Sequence, residues 1–284
     1  MVQNAHVIAS GGALVLTGLL CAASAMAASD NTQGPSLRNF PTYWVQNRTA
    51  QDDFLQPLEG PGPVKGPPGH HYIPNGAGAQ QTNRLADLSN PILQPWVRTQ
   101  MQKTNDAVNE GKVPFIARER CWTTGVPGWD VFAHAAGMWV VQTEKVIYLI
   151  QELDQQVRRV YMDVPHSANL KPSWYGESVG HFEGDDLVVD TIGMNDKSFV
   201  DNYRTPHTDK IHVVERFKLI DKGNALQVAA TVEDPGAYTM PWTGIQRWSL
   251  GPKRDILEQV CAENSDEFFN YDVVPIPRAE KPDF

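Results

Sequence analysis

The sequence predicts a mainly β protein, an antiparallel meander closing into a lipocalin-like barrel, preceded by an irregular N-terminal arm and one helix. Three observations carry this. From about residue 138 onward, β-branched and aromatic residues alternate with polar ones in short runs. Brief Gly, Asp and Asn turns join the runs at hairpin spacing. The stretch before residue 90 is instead crowded with Pro, Gly, Gln and Asn.

The elements follow in order. Val7 to Ala25 is apolar and small, with no Asp, Glu, Lys or Arg from Met1 to Ser29. Ala25-Met26-Ala27 then supplies the small-x-small pattern of a signal-peptidase site before Ala28. Residues 1–27 therefore read as a signal peptide, and the mature chain as a periplasmic or secreted protein with no membrane attachment. Residues 28–112 form the arm and helix. The Pro- and Gly-rich stretch from Leu58 to Gly69 excludes regular helix or central strand. Pro95 suits a first helical turn, Val97, Met101, Thr104 and Val108 make a one-face stripe, and Gly111 closes the end. Residues 113–284 form the barrel. Its expected strands are 138–143, 145–153, 156–163, 178–183, 186–192, 211–220, 225–233, 245–250 and 257–263.

Composition narrows the partners. A formal charge of −9, with both signs interspersed, excludes electrostatic attraction to nucleic acid or anionic lipid. No dinucleotide fingerprint, phosphate loop or haem motif is present, so no cofactor is expected. His70, His71, His166, His207 and His212 lack the helical spacing or Cys/His clustering of a strong metal motif, so no metal is expected either. The mature chain keeps two cysteines, Cys121 and Cys261. In an oxidising compartment they are expected to pair, the alternative being two separate buried thiols.

The run from Gly176 to Thr191 holds the most chemical information. Gly176-Glu177-Ser178-Val179-Gly180 has the G-x-S-x-G spacing of a serine hydrolase, but no helix follows to complete a nucleophile elbow. Glu183-Gly184-Asp185-Asp186 reads as a tight turn, and Leu187 to Ile192 as a strand. With Gly184-Asp185 as the loop, Glu183 faces Asp186, His181 faces Val188 and Val179 faces Asp190. His181 and Asp190 then share a face as diagonal neighbours, roughly 7–8 Å apart at the backbone. A carboxylate that fixes an imidazole tautomer makes a general base. The same pair also suits a structural role at a barrel rim.

Pairing the 145–153 and 156–163 strands around Asp154-Gln155 sets Tyr148 opposite Tyr161 and Ile150 opposite Arg159. Tyr148, Ile150, Glu152, Arg159, Tyr161 and Asp163 then share one face, and Ile147, Leu149, Val160 and Met162 the other. The mixed face suits the lining of a small-ligand cavity or, equally, the solvent side. Further along, His207 falls in a loop, and His212 starts a strand on the face of Val214 and Arg216.

These residues, with Arg159-x-Tyr161-x-Asp163-x-x-His166 before the central run and Pro206-His207 to Glu215-Arg216 after it, resemble a family of exported, mostly uncharacterised bacterial proteins. The family carries a G-x-S-x-G-x-(W/F)-E-G-D-x-L-V-V-D-T run. Pro95-Trp96, Gly111-Lys112, Cys121, Asp234-Pro235 and Cys261-x-Glu263-Asn264 extend the likeness over about residues 91–264. His181 stands where the family usually has arginine. The resemblance implies an exported β-rich fold and no defined chemistry. By location and barrel pattern alone, the chain is also similar to bacterial lyases acting on lignin-derived aromatic dimers.

Two functions follow as expectations. One is a cofactor-independent lyase eliminating a small fragment, formaldehyde or water, from an aromatic substrate. Asp163, His166 or His181 would be the base, Tyr161 the acid, Arg159 the cation and Asp190 the group orienting His181. Tyr148, Glu152, His207 and His212 would contact substrate. The other is a lipocalin-like carrier of a small hydrophobic ligand. Inward-facing titratable residues would favour the enzyme, an apolar cavity the carrier.

Overall fold

The computed structural model describes residues 36–39, 43–46, 53–67, 69, 84–112, 121–131, 137–152, 156–252 and 255–258. The predicted signal peptide, most of the 257–263 strand and Cys261 lie outside the described residues. Among those described, no helix is long and apolar enough to cross a membrane.

Nine strands close into a barrel: β1 (Tyr43–Gln46), β2 (Gly137–Gln142), β3 (Val146–Gln151), β4 (Val157–Met162), β5 (Glu177–Glu183), β6 (Asp186–Ile192), β7 (His212–Ile220), β8 (Ala225–Glu233) and β9 (Trp242–Leu250). Each pairs with its sequence neighbour, and β1 pairs with β9 to close the ring. All pairs are antiparallel except β4 with β5. Parity demands such an exception. Every antiparallel step reverses direction, so an odd ring returns to its start only if at least one step is parallel. The parallel step needs a crossover rather than a hairpin. Residues 163–176 supply it, held to the end of β6 where Ser173 N–H donates to Gly193 O at 3.0 Å and Asn195 N–H to Ser173 O at 2.8 Å.

The described arm residues take part in the barrel, which their composition did not indicate. Tyr43–Gln46 is the strand that closes the barrel, but at four residues it spans little of the nine-residue β9. Arm residues take over the rest of that edge: Leu55 and Ile245 exchange N–H···O bonds of 2.7 and 3.0 Å, and Thr243 N–H donates to Pro61 O at 3.0 Å. An open strand edge is thereby covered. Gly244 makes room for the arm, because a Cβ there would lie 2.5 Å from the Phe54 ring.

Helix α1 (Pro95–Asn109) has Pro in its first turn and ends at Gly111, with φ +77°, as its sequence indicates. Its buried stripe is Val97, Met101 and Asn105 rather than Thr104 and Val108. Asn105 turns inward because it clamps the arm, accepting from Ala86 N–H and donating to Ala86 O, both at 2.9 Å. A second short helix, α2 (Gly128–Val131), is buried throughout.

The buried apolar residues form two clusters. One gathers Trp44, Trp129, Leu149, Val160, Phe217 and Trp248; the other joins α1 and the arm to Val213, Val232 and Trp242. Along β7, inward Val213 belongs to the second cluster and inward Phe217 to the first, with Glu215 between them. A polar layer therefore crosses the barrel between its apolar ends.

Candidate active site

The hairpin of β5 and β6 has the register read from the sequence, with Glu183 opposite Asp186, His181 opposite Val188 and Val179 opposite Asp190. Burial alternates along β5, and on β6 Leu187, Val189 and Thr191 are fully buried, so Ser178, Gly180, Leu187, Val189 and Thr191 point inward. Glu177, Val179, His181 and Asp190 consequently stand on the outer wall. On β7 the outer set is His212, Val214 and Arg216, with Asp190 opposite Val214 and His212 opposite Glu233 of β8. Glu177, Asp190, His212 and Glu233 thus step diagonally across four adjacent strands.

His166 completes the row from the crossover. Its Nδ1 lies 3.1 Å from Glu177 Oε1 and its Nε2 3.1 Å from Asp190 Oδ1. The same Asp190 oxygen is 3.0 Å from His212 Nε2, and His212 Nδ1 is 3.5 Å from Glu233 Oε2. Carboxylate and imidazole alternate in the order Glu177, His166, Asp190, His212, Glu233. Ionised carboxylates only accept hydrogen bonds, and a neutral imidazole donates one. Every contact in the row carries a proton only when both rings are imidazolium, so each ring can give up one proton and stay held. Glu177 is the anchored end. The Ser167 hydroxyl, then the Ser167 N–H and His166, bond its carboxylate and hold its pKa below the usual value. The row is reachable from solvent: the His166, Asp190 and His212 side chains are 21%, 39% and 34% exposed.

The expected site residues are distributed differently from the sequence reading. His166, Asp190 and His212 come together. His181 does not join them; it is exposed on the outer wall and its Nε2 lies 3.2 Å from Glu183 Oε1. Asp190 thus orients His166 and His212 rather than His181, because the crossover lays His166 over the carboxylate. Arg159 and Tyr161 also face outward, as burial falls on Arg158, Val160 and Met162 of β4. They do not line a concave interior. Tyr148 pairs with Arg159, and Val146 with Tyr161, because a loop longer than two residues shifts the register by two. An even shift preserves the face, so Tyr148, Arg159 and Tyr161 do share one wall. Asp163 is exposed at the end of β4, with φ +55°.

Two expected substrate contacts are structural. Glu152 is buried and accepts from Gly137 N–H at 3.1 Å, Trp139 Nε1–H at 3.2 Å and Tyr43 O–H at 3.3 Å. His207 is buried between Ser198 Oγ, 3.0 Å from its Nε2, and Thr208 O, 2.9 Å from its Nδ1. Burial holds its pKa down, so it sits as a neutral ring donating from Nδ1 and accepting at Nε2.

The interior holds a cluster that sequence reasoning missed. Arg158 and Glu215, both fully buried, form a two-bond ion pair, with Arg158 also bonded to Ser178 Oγ at 3.2 Å and Thr191 Oγ1 at 2.9 Å. Ser178, the central residue of the G-x-S-x-G run, is thus a buried partner of Arg158 within a strand. Asp130 of α2 bonds Glu215, and burial followed by the Glu215 charge pushes its pKa well up. Alternation puts Arg158 on the face of Val160 and Met162, but its partner Glu215 lies on β7 and is found only from the closed barrel. Glu177 and Glu233 were also missed, since the crossover brings His166 to Glu177 and the β7–β8 register brings His212 to Glu233.

An open groove of about 500 Å³ lies elsewhere, lined by arm residues including Pro61, Lys65 and Pro91 together with Met240. None of the expected site residues lines it. Among the described residues, no group of three or more His, Cys, Asp or Glu is placed to hold a metal ion. Comparison with family models, curated proteins and solved structures finds no match to this chain.

Proposed function

We propose that this chain is an exported, cofactor-independent lyase acting on an aromatic substrate, with His166 and His212 as an acid–base pair held by Asp190. The observation that carries the proposal is the shared Asp190 Oδ1, 3.1 Å from His166 Nε2 and 3.0 Å from His212 Nε2. One imidazole acts as base while the other, as imidazolium, acts as acid, and Asp190 keeps both rings oriented. For loss of formaldehyde, the base takes the hydroxymethyl O–H proton. The C–C bond breaks with formaldehyde leaving, and the carbon receives a proton from the imidazolium. For loss of water, the base takes a C–H proton, the C=C bond forms, and the departing hydroxyl receives the imidazolium proton. Either route is proton-neutral and needs no cofactor.

A carrier would use the barrel interior. Trp44, Trp129, Trp248, Phe217 and the Arg158–Glu215 pair are packed there instead, which favours chemistry on the outer wall. Export is supported by the uncharged leader and Ala25-Met26-Ala27.

The test incubates the mature protein with a panel of aromatic compounds bearing hydroxymethyl or hydroxyl leaving groups, read by mass spectrometry. Loss of formaldehyde or water by the wild type, and not by Asp190→Asn, is expected. Equal turnover by the two proteins would refute the proposal.

A further inference from the structure

We propose that the chain self-associates through a two-fold interface, in which Leu58 of one copy seats in the open groove of the other and Glu59 pairs with Lys65 across the contact. The inference is independent of the acid–base row, none of whose residues lines the groove.

The knob is the loop of residues 56–60. Leu55 and Ile245 exchange backbone hydrogen bonds and Thr243 N–H donates to Pro61 O, so both ends of the loop are fixed to β9. Pro57 and Pro61 restrict its backbone. Gln56 fills its base, for a Cβ on Gly62 would lie 2.0 Å from Gln56 Oε1. Gly60 turns the tip at φ +82°, and nothing lies within 4 Å of where its Cβ would stand. The loop therefore projects into open space. Leu58 at its tip is 105% exposed, while the next most exposed large apolar side chain among the described residues, Leu257, reaches 54%. A loop already fixed in shape loses little freedom on binding, which suits its apolar tip to act as an anchor.

The hole adjoins the knob. Gln56, Pro61 and Gly62, at the foot of the same loop, line the groove of about 500 Å³ together with Pro91, Ile92 and the half-exposed Met240. Leu58 does not line it. A knob beside its own hole is self-complementary. Two copies related by a two-fold axis exchange knobs and close, whereas a knob far from its hole would propagate an open chain.

Charge selects the same pairing. Glu59 stands next to Leu58, and Lys65 lines the groove. Neither side chain makes a hydrogen bond or ion pair among the described residues. Asp87, the groove's other charged residue, is turned to the Ser89 N–H and hydroxyl at 2.9 and 2.7 Å. Each knob thus carries an acid, and each groove a cation, that a second copy can satisfy. The net charge of −9 disfavours contact between copies in general, so a local match is needed to single out this face.

The experiment is sedimentation equilibrium of the mature protein over a concentration series. A monomer–dimer equilibrium is expected. Leu58→Asp should weaken it at least about tenfold, as for loss of an apolar anchor. Its circular dichroism should match the wild type, because Leu58 is fully exposed in a single copy. Glu59→Lys and Lys65→Glu should each weaken association by roughly threefold or more. An equal mixture of those two variants should associate as well as the wild type, since each presents the charge that the other needs. A monomer at every concentration would overturn the proposal and leave the groove to a small molecule or another protein. A dimer indifferent to Leu58→Asp, no recovery on mixing, or growth into open-ended assemblies would overturn it as well.

Discussion

Asp190 Oδ1 lies 3.0 Å from His212 Nε2, on the strand next to its own and diagonal to its direct partner Val214. The contact depends on register alone. A slip of one residue in the β6–β7 pair would turn either the carboxylate or the imidazole into the barrel. His166 reaches the same oxygen from the crossover, which exists because an odd-stranded ring requires a parallel step. Barrel closure and the His166–Asp190 contact on the outer wall are therefore linked through one connection.

Asp190→Asn should separate chemistry from folding. The amide keeps the shape of the carboxylate but loses the charge shared by two imidazoles. The site is partly solvated, so the stability cost should stay within about 1 kcal/mol. Turnover should fall roughly 100-fold or more, the usual scale for losing positioned acid–base catalysis. Steady-state kinetics beside a urea titration checks both; a drop in stability matching the drop in rate would make Asp190 a structural residue.

The β5–β6 hairpin was legible residue by residue, because Gly184-Asp185 leaves only one comfortable register for the flanking strands. The sharing of one face by Tyr148, Arg159 and Tyr161 was legible from alternation, which survives the two-residue shift in register. Which face points inward was not. A strand with Arg158 among Val160 and Met162 reads as amphipathic in either sense until Glu215 is known to neutralise the arginine from across the barrel. His166 was identifiable as a candidate, but its partner was not. Its position depends on a crossover of irregular backbone, whose path no periodicity encodes. The closing strand β1 was hidden by its Pro- and Gly-rich surroundings and its length of four residues.

Asp201 should make stability fall as the solution turns from acidic to neutral. It is buried, and burial pushes its pKa from 3.8 to about 6, against hydrogen bonds from Thr205 and the Tyr203 N–H. The folded value exceeds the unfolded one. Its stabilising contribution is therefore full below pH 3.8 and lost as pH rises through about 6. The size is on the order of 3 kcal/mol for a shift of this kind. Urea unfolding at pH 4.5 and 7.5 should show a smaller difference for Asp201→Asn than for the wild type. Parallel pH profiles for the two proteins would assign the effect elsewhere.

The exported product should begin at Ala28 and lack two hydrogens relative to its reduced mass, reflecting a Cys121–Cys261 disulfide. Cleavage after Ala27 leaves only these two cysteines, and an oxidising compartment lets them pair. Intact-mass measurement before and after reduction tests both parts. Recovery of the full-length chain would refute the cleavage, and an unchanged mass on reduction the bridge.

The Arg158–Glu215 pair should behave asymmetrically on mutation. Both side chains are fully buried and bonded to each other, and Arg158 is further held by Ser178 and Thr191. Removing them from water carries a large desolvation cost, offset by the ion pair and these hydroxyl contacts. Arg158→Met leaves Glu215 with Asp130 and no cation, so two hydrogen-bonded carboxyl groups face each other in an apolar layer. A loss of about 3–5 kcal/mol is expected, the usual cost of stranding one buried charge. Glu215→Leu leaves the guanidinium stranded, with Asp130 as the remaining acid, and should cost less because Asp130 can ionise to replace Glu215. The double variant should recover much of the loss, since neither charge is then buried without its partner. A double-mutant cycle by urea denaturation gives the coupling directly. Additive losses would show that the two residues stabilise the barrel through separate contacts, and that the polar layer is not organised by their pairing.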